Sequence, residues 1–261
     1  MSVQRTARDG SGVSESIGFI LMFTIVIAGI GLVTLYGFPL LLQQQSNADE
    51  KIMEKNMIVL QNDFKSIVYK TIPYKETSMK IASGALSVNN ATDTGPYFTI
   101  GDGSGANYLS SYPTGDLRYL STQLQEEISL QNGAVVKRNL ASPGSVMLAQ
   151  PRWYYDSNTQ TLVINIVTVN SSSVMGREGI GTVQMELGQT TYQYISPVTG
   201  SVNVYYEPFN SPDYSKAWDN YFLTTFGATP DTSGPGPRTY TLPQQVNVLV
   251  IKTTDIIIRS V

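Results

Sequence analysis

The sequence predicts an α+β fold: a long N-terminal helix carrying a mostly antiparallel, sandwich-like β head with one further helix. Three features point there. Residues Ile17 to Leu42 run for 26 positions without a charged side chain. Gln43 to Ile72 contains neither Gly nor Pro. From Thr77 onward the chain breaks into short runs rich in β-branched and aromatic residues, separated by turn formers, which is the pattern of a β domain.

The first segment has membrane length. At about 1.5 Å rise per residue it extends roughly 39 Å, more than the roughly 30 Å hydrocarbon core of a bilayer. A secretory signal that is cut and lost has an apolar core of about 7 to 15 residues and a small-x-small exit. This run instead leaves through Leu40-Leu41-Leu42-Gln43-Gln44. Arg5 and Arg8 precede it, and Asp49-Glu50-Lys51-Ile52-Met53-Glu54-Lys55 follows with more acid than base. The positive-inside rule then puts the N-terminus in the cytoplasm and the C-terminal mass outside, as a single-pass membrane protein. Ser14 reads as an N-cap, with Glu15 in the first turn where the helix dipole favours an acid. Gly29, Gly31 and Gly37 lower helix propensity but permit close helix approach in lipid. Pro39 removes a backbone donor and is expected to kink or loosen the helix near Gly37-Phe38-Pro39.

The second segment is amphipathic. Met53, Met57, Leu60, Phe64 and Ile67 recur at spacings of 4, 3, 4 and 3, with charged and amide residues on the other side, and the helix is expected to end before Pro73. Membrane helix thus passes into head helix with no Gly/Ser/Pro tether. Strands are expected at 79–88, 97–100, 117–124, 127–130, 134–139, 146–155, 161–169, 181–187, 191–195, 202–206 and 246–258. Asn132-Gly133 is the strongest hairpin signal, and Asp156-Ser157-Asn158 reads as a second turn. A further helix over 212–226 has Ser211 as its cap, Pro212 at its first position, Asp213 in its first turn and Gly227 after its end. Thr229 to Pro237 reads as an exposed loop.

Composition excludes whole classes of chemistry. The 261 residues include no Cys and no His, which removes disulfides, thiolate nucleophiles, Ser-His-Asp machinery and His- or Cys-ligated zinc. We therefore expect no enzyme, no cofactor and no metal. The net charge of -3, without a dense basic patch, argues against a nucleic-acid partner. Gly101-Asp102-Gly103-Ser104-Gly105 matches no phosphate or calcium loop and reads as a mobile hairpin tip. Glu126-Glu127 reads as solvated charge on a strand edge. Asn90-Ala91-Thr92 and Asn170-Ser171-Ser172 fit the N-glycosylation sequon, making Asn90 and Asn170 candidate acceptors. The 16 tyrosines, nearly all in the head, suit strand packing or a sugar- or surface-binding face.

The stretch Gly12-Val13-Ser14-Glu15-Ser16-Ile17-Gly18-Phe19-Ile20-Leu21-Met22 resembles the opening of archaeal type IV pilins and pilin-like proteins. The resemblance covers about 30 residues. It implies a leader over residues 1–12 cut by a prepilin peptidase between Gly12 and Val13, where Ser11 stands in place of the family's usual Lys or Arg. It further implies an N-terminal helix over 13–72, with 17–42 as transmembrane and filament core and 43–72 as amphipathic stalk, and an extracellular head over 73–261. The implied partners are membrane lipid before assembly, then copies of the chain or other pilin-like subunits packed through a helix that includes Ile17, Gly18, Gly29, Gly31 and Pro39. Glu15 would neutralise a neighbour's new α-amino group. Two expectations follow: a subunit of a type IV pilus-like surface filament with a head exposed for adhesion, or a single-pass anchor bearing an extracellular binding module that never polymerises.

Overall fold

The structure is a computed structural model that describes residues 11–121, 123–231 and 238–261, with side chains described from Ser16 onward. Arg5, Arg8 and most of the leader lie outside the described residues, as do 232–237 of the expected loop. The chain divides into two compact units, one ending at Ala48 and one running from Asp49 to Val261.

The first unit is helical. Helix α1 (Ser11–Leu32) passes through a π-helical turn (Val33–Gly37) into α2 (Phe38–Lys70). The helix starts three residues before the expected cap, so Ser14 lies inside it rather than at its end; one glycine, Gly12, does not stop a helix whose next turns are strongly apolar. In the π turn the amide of Phe38 bonds the carbonyl of Val33, five residues back. An α-helical register would drive the Pro39 ring into the carbonyl four residues earlier, and a wider turn just ahead of the proline relieves that crowding without ending the helix.

The second unit begins within α2. Its strands are β1 (Tyr74–Asn89), β2 (Tyr97–Asp102), β3 (Asn107–Pro113), β4 (Asp116–Ser121), β5 (Glu126–Gln131), β6 (Ala134–Asn139), β7 (Ser145–Ala149), β8 (Tyr154–Asp156), β9 (Thr161–Ser171), β10 (Met175–Ile195) and β11 (Val202–Glu207). Helix α3 (Ser215–Phe226) follows, then β12 (Pro230–Asp231), β13 (Arg238–Thr241) and β14 (Val248–Ser260). One nine-stranded sheet has the order β7-β6-β5-β4-β1-β10-β14-β9-β8 and a five-stranded sheet the order β12-β13-β11-β2-β3. Every described pairing is antiparallel except β9 with β14.

Strand alternation gives the large sheet two buried faces. On one, Val167 and Val169 of β9 and Ile256 and Ile258 of β14 pack with Met53, Met57, Leu60, Phe64 and Ile67 of α2. The heptad-like stripe read from the sequence is thus the helix's core face. On the other, Leu162, Ile164, Leu249 and Ile251 pack with the five-stranded sheet and with Trp218 and Phe222 of α3. Gln61, buried in the stripe, donates from Nε2 to the carbonyls of Gly133 and Gln150 at 2.8 and 2.9 Å, tying α2 to two loops.

Several boundaries depart from the sequence reading. Helix α3 starts at Ser215, not at residue 212: the Asp213 carboxylate accepts from the Ser215 amide at 2.8 Å, so the Pro212-Asp213 pair forms the turn before the helix. Its C-terminus is as expected, with Gly227 left-handed at φ 67°. The expected strand over 146–155 is two strands, because Pro151 cannot donate to a ladder. The two segments expected over 181–195 form one 21-residue strand whose ladder is interrupted near Gly188.

Candidate functional site

The apolar helix has an outward surface that water does not suit. Ile17, Phe19, Ile20, Phe23, Ile27, Leu35 and Leu41 are all more than half exposed. A continuous apolar surface of this extent marks contact with lipid or with another chain. Its two threonine hydroxyls are satisfied internally: Thr24 Oγ1 donates to the Ile20 carbonyl at 2.7 Å, and Thr34 Oγ1 to the Ile30 carbonyl at 2.8 Å. That is what a helix in hydrocarbon requires, since unpaired donors there have no water to turn to. Among the described residues, this is the one helix long and apolar enough to cross a membrane.

A methyl group built on Gly18, Gly29 or Gly31 would meet nothing within 4 Å, so no contact within the chain requires glycine there. A methyl group built on Gly37 would be in ordinary contact with Val33, and Pro39 follows the π turn. The backbone of Gly12, Val13 and Glu15 is helical, and the Glu15 side chain lies outside the described residues.

In the second unit the two candidate acceptors Asn90 and Asn170 come together. Asn90 Oδ1 accepts from the Ser171 amide and hydroxyl at 2.7 and 2.9 Å, while Asn170 Oδ1 accepts from the Ala91 amide at 3.2 Å. Each asparagine therefore holds the backbone of the residue that follows the other. Asn90 Nδ2, the atom a glycan would occupy, donates to Asp93 at 3.4 Å.

Gly101 to Gly105 is a built turn rather than a loose tip. Asp102 is buried and accepts from the Ser104 hydroxyl and amide, the Ala106 amide and the Tyr108 hydroxyl at 2.7 to 3.0 Å. The Ser104 hydroxyl first, then these further donors, hold its carboxyl below the usual range against the opposing effect of burial.

Glu126 and Glu127 are likewise not solvated. Glu127 is buried, accepts from Arg138 Nε at 2.6 Å and pairs with Arg118 at 3.3 Å. Arg118 in turn forks onto fully buried Asp116, which also accepts from Ser129 at 2.6 Å and Asn89 at 2.7 Å. The Arg138 guanidinium lies 5.7 Å over the Tyr214 ring, and burial holds the Tyr214 hydroxyl well above its ordinary pKa. Glu126 joins Glu50 and Glu54 around Lys137. Burial, then the charge of Glu54, raises the Glu126 pKa. Apart from Asp116 with Arg118 on one strand and Glu127 with Arg138 across the Asn132-Gly133 hairpin, these partners are far apart in sequence and were not legible locally. Around Asp116 and Glu127 the ion pairs are closed, which suits fixing strands β4 to β6 rather than moving protons, whereas three carboxylates share the one ammonium of Lys137.

A family model described as "Family of unknown function (DUF7289)" matches residues 11–256. No curated protein and no solved structure matches the chain.

Proposed function

The chain belongs to that family of unknown function, and on this premise we propose that it is a non-enzymatic subunit of a type IV pilus-like surface filament, built through its apolar N-terminal helix. The observation that carries the reading is the exposed apolar helix with internally satisfied threonine hydroxyls, continued by α2 without a Gly/Pro/Ser tether until Met53 enters the head's core. A helix of this kind is at home in a bilayer first, and it can then exchange lipid for copies of itself, because dispersion packing is the main term in either setting. Gly18, Gly29 and Gly31, whose size no internal contact explains, suit close approach of a neighbouring helix.

In this reading Arg5 and Arg8 hold the N-terminus in the cytoplasm and the head is outside. A prepilin peptidase cuts between Gly12 and Val13, and Glu15 then neutralises a neighbour's new amino group in the apolar bundle. The head is exposed for adhesion. The closed ion pairs of Asp116 and Glu127, with no His or Cys in the sequence, favour a binding or structural role over catalysis.

A second reading, a single-pass anchor that never polymerises, is favoured by Ser11 in the place where archaeal type IV pilins usually carry a base. The intact mass of the membrane-extracted chain separates them. A mature chain beginning at Val13, with Gly12→Asp leaving a longer and unassembled form, supports the filament subunit. Retention of residues 1–12, or normal processing of Gly12→Asp, overturns it.

A further inference from the structure

The sheet face that α2 covers continues beyond the helix's last residue, Lys70. Strand register sets Tyr194 beside Val250, Val250 beside Val163, and Val163 beside Tyr154, a single row across β10, β14, β9 and β8. These positions share the parity of Ile256, Ile258, Val167 and Val169, so they lie on the face that α2 packs against. The row nearer the helix contains Tyr192 beside Lys252 and Lys252 beside Asn165. Tyr192 and Tyr194 are 68% and 70% exposed and Tyr154 52%, while the two valines between them are half-buried. With strands about 4.8 Å apart, Tyr194 and Tyr154 stand roughly 14 Å apart over a flat floor.

One edge of this platform is cationic. Arg152, exposed, sits 4.7 Å over the Tyr69 ring, and Lys252 lies 5.5 Å from Tyr69 and 5.4 Å from Tyr192 while donating to the Val68 carbonyl at 2.6 Å. Lys65, beside them, donates to Gln61 at 3.1 Å. Among the described ion pairs none gives Arg152, Lys252 or Lys65 a carboxylate. Burial first, and the nearby Arg152 charge second, hold the Lys65 pKa below its ordinary value. The acid at the platform's far end, Asp156, is taken up by its own turn, accepting from the Asn158 amide and the Thr159 hydroxyl. In a chain of net charge -3, uncompensated cations beside open tyrosines call for an anion that also has a flat face to stack.

We propose that this face binds an acidic polysaccharide, its pyranose rings lying on Tyr192, Tyr194 and Tyr154 and a uronate carboxylate meeting Arg152. A nucleic acid fits less well: it needs cations along its whole track, and here they stand at one edge only. A second copy of the chain needs about 800 Å² per partner with an apolar centre, whereas three tyrosines and two valines beside a charged edge make a narrower surface. The site uses no part of the apolar helix, so its failure leaves the filament reading standing, and the reverse holds too.

The test is isothermal titration of the full chain in detergent micelles with hexagalacturonate, maltohexaose and a six-residue oligothymidylate. Hexagalacturonate should bind, with the neutral sugar and the oligonucleotide each at least about tenfold weaker. Tyr194→Ala and Arg152→Ala should each weaken hexagalacturonate binding about tenfold, and Tyr194→Phe should retain it, since the ring is what stacks. Both side chains are exposed, and an unchanged circular dichroism spectrum checks that the variants fold. No binding of hexagalacturonate, binding indifferent to both alanine variants, or equal binding of the oligonucleotide overturns the proposal. So does a loss of self-association in Tyr194→Ala by light scattering, which would make the face a contact between copies.

Discussion

Replacing Phe64 with Ala tests whether α2 is part of the head's fold or merely lies on it. Phe64 is 1% exposed and packs among Met57, Leu60, Ile67 and the sheet residues of the helix-side core. Truncating a buried Phe costs about 3 to 5 kcal/mol when the cavity does not collapse. The neighbours here are ladder-bound strand residues with little freedom to refill the space, so the upper half of that range is expected. With a urea slope of about 3 kcal/mol per molar, the unfolding midpoint should fall by roughly 1 to 2 M. The chain's two tryptophans, Trp153 and Trp218, both lie in the other core, across the large sheet from Phe64. Tryptophan fluorescence therefore reads the far side of the sheet. A shifted tryptophan midpoint means that both faces and α2 unfold as one unit. A midpoint within about 0.2 M of the parent in Phe64→Ala would refute the reasoning, because a cooperative unit cannot lose that much at one core without the other responding.

Other perturbations follow from the same geometry. Asp116→Ala leaves Arg118 with its bidentate partner gone in a buried network, so a loss of about 3 to 5 kcal/mol is expected in the same urea assay; a change below about 1 kcal/mol would mean the network is open to water. Asp102 has a lowered pKa in the fold, so its contribution is present above the unfolded value near 3.8 and is lost as pH falls through the lower folded value. Urea midpoints of the parent and Asp102→Ala should accordingly differ most above about pH 5 and converge in stronger acid; divergence toward low pH contradicts the sign. Gly227→Ala forces a Cβ into a left-handed cap at φ 67° and should cost about 1 kcal/mol, read as a lowered melting temperature.

Features with a local cause were legible in the sequence. Asn132-Gly133 turns β5 into β6 with both residues at positive φ, and Gly227 closes α3, because these depend on a few adjacent residues. The stripe from Met53 to Ile67 was readable because helical spacing alone identifies a core face. Strand β3 was not, since Asn107-Tyr108-Leu109-Ser110-Ser111-Tyr112-Pro113 has no clean alternation and owes its conformation to pairing with β2. The Asp116-Arg118-Glu127-Arg138 network and the Tyr194-to-Tyr154 row were also out of reach. The row, and the network's contacts between β4 and β5, are set by strand register between elements, which a sequence records only through the finished sheet. The apolar helix was the easiest element to read and is the hardest to complete, because what covers it is not in the chain.

Cross-linking between copies inside that helix tests the central claim most directly. The sequence has no Cys, so Gly29→Cys provides a single thiol, at a position where an added Cβ meets nothing within 4 Å. On mild oxidation of assembled surface material, a disulfide-linked dimer that reduction reverses is expected, and none for a thiol placed at the exposed head residue Val174. Monomer alone at Gly29→Cys, with all of the chain extracted as a detergent-soluble membrane protein, would contradict assembly through the helix.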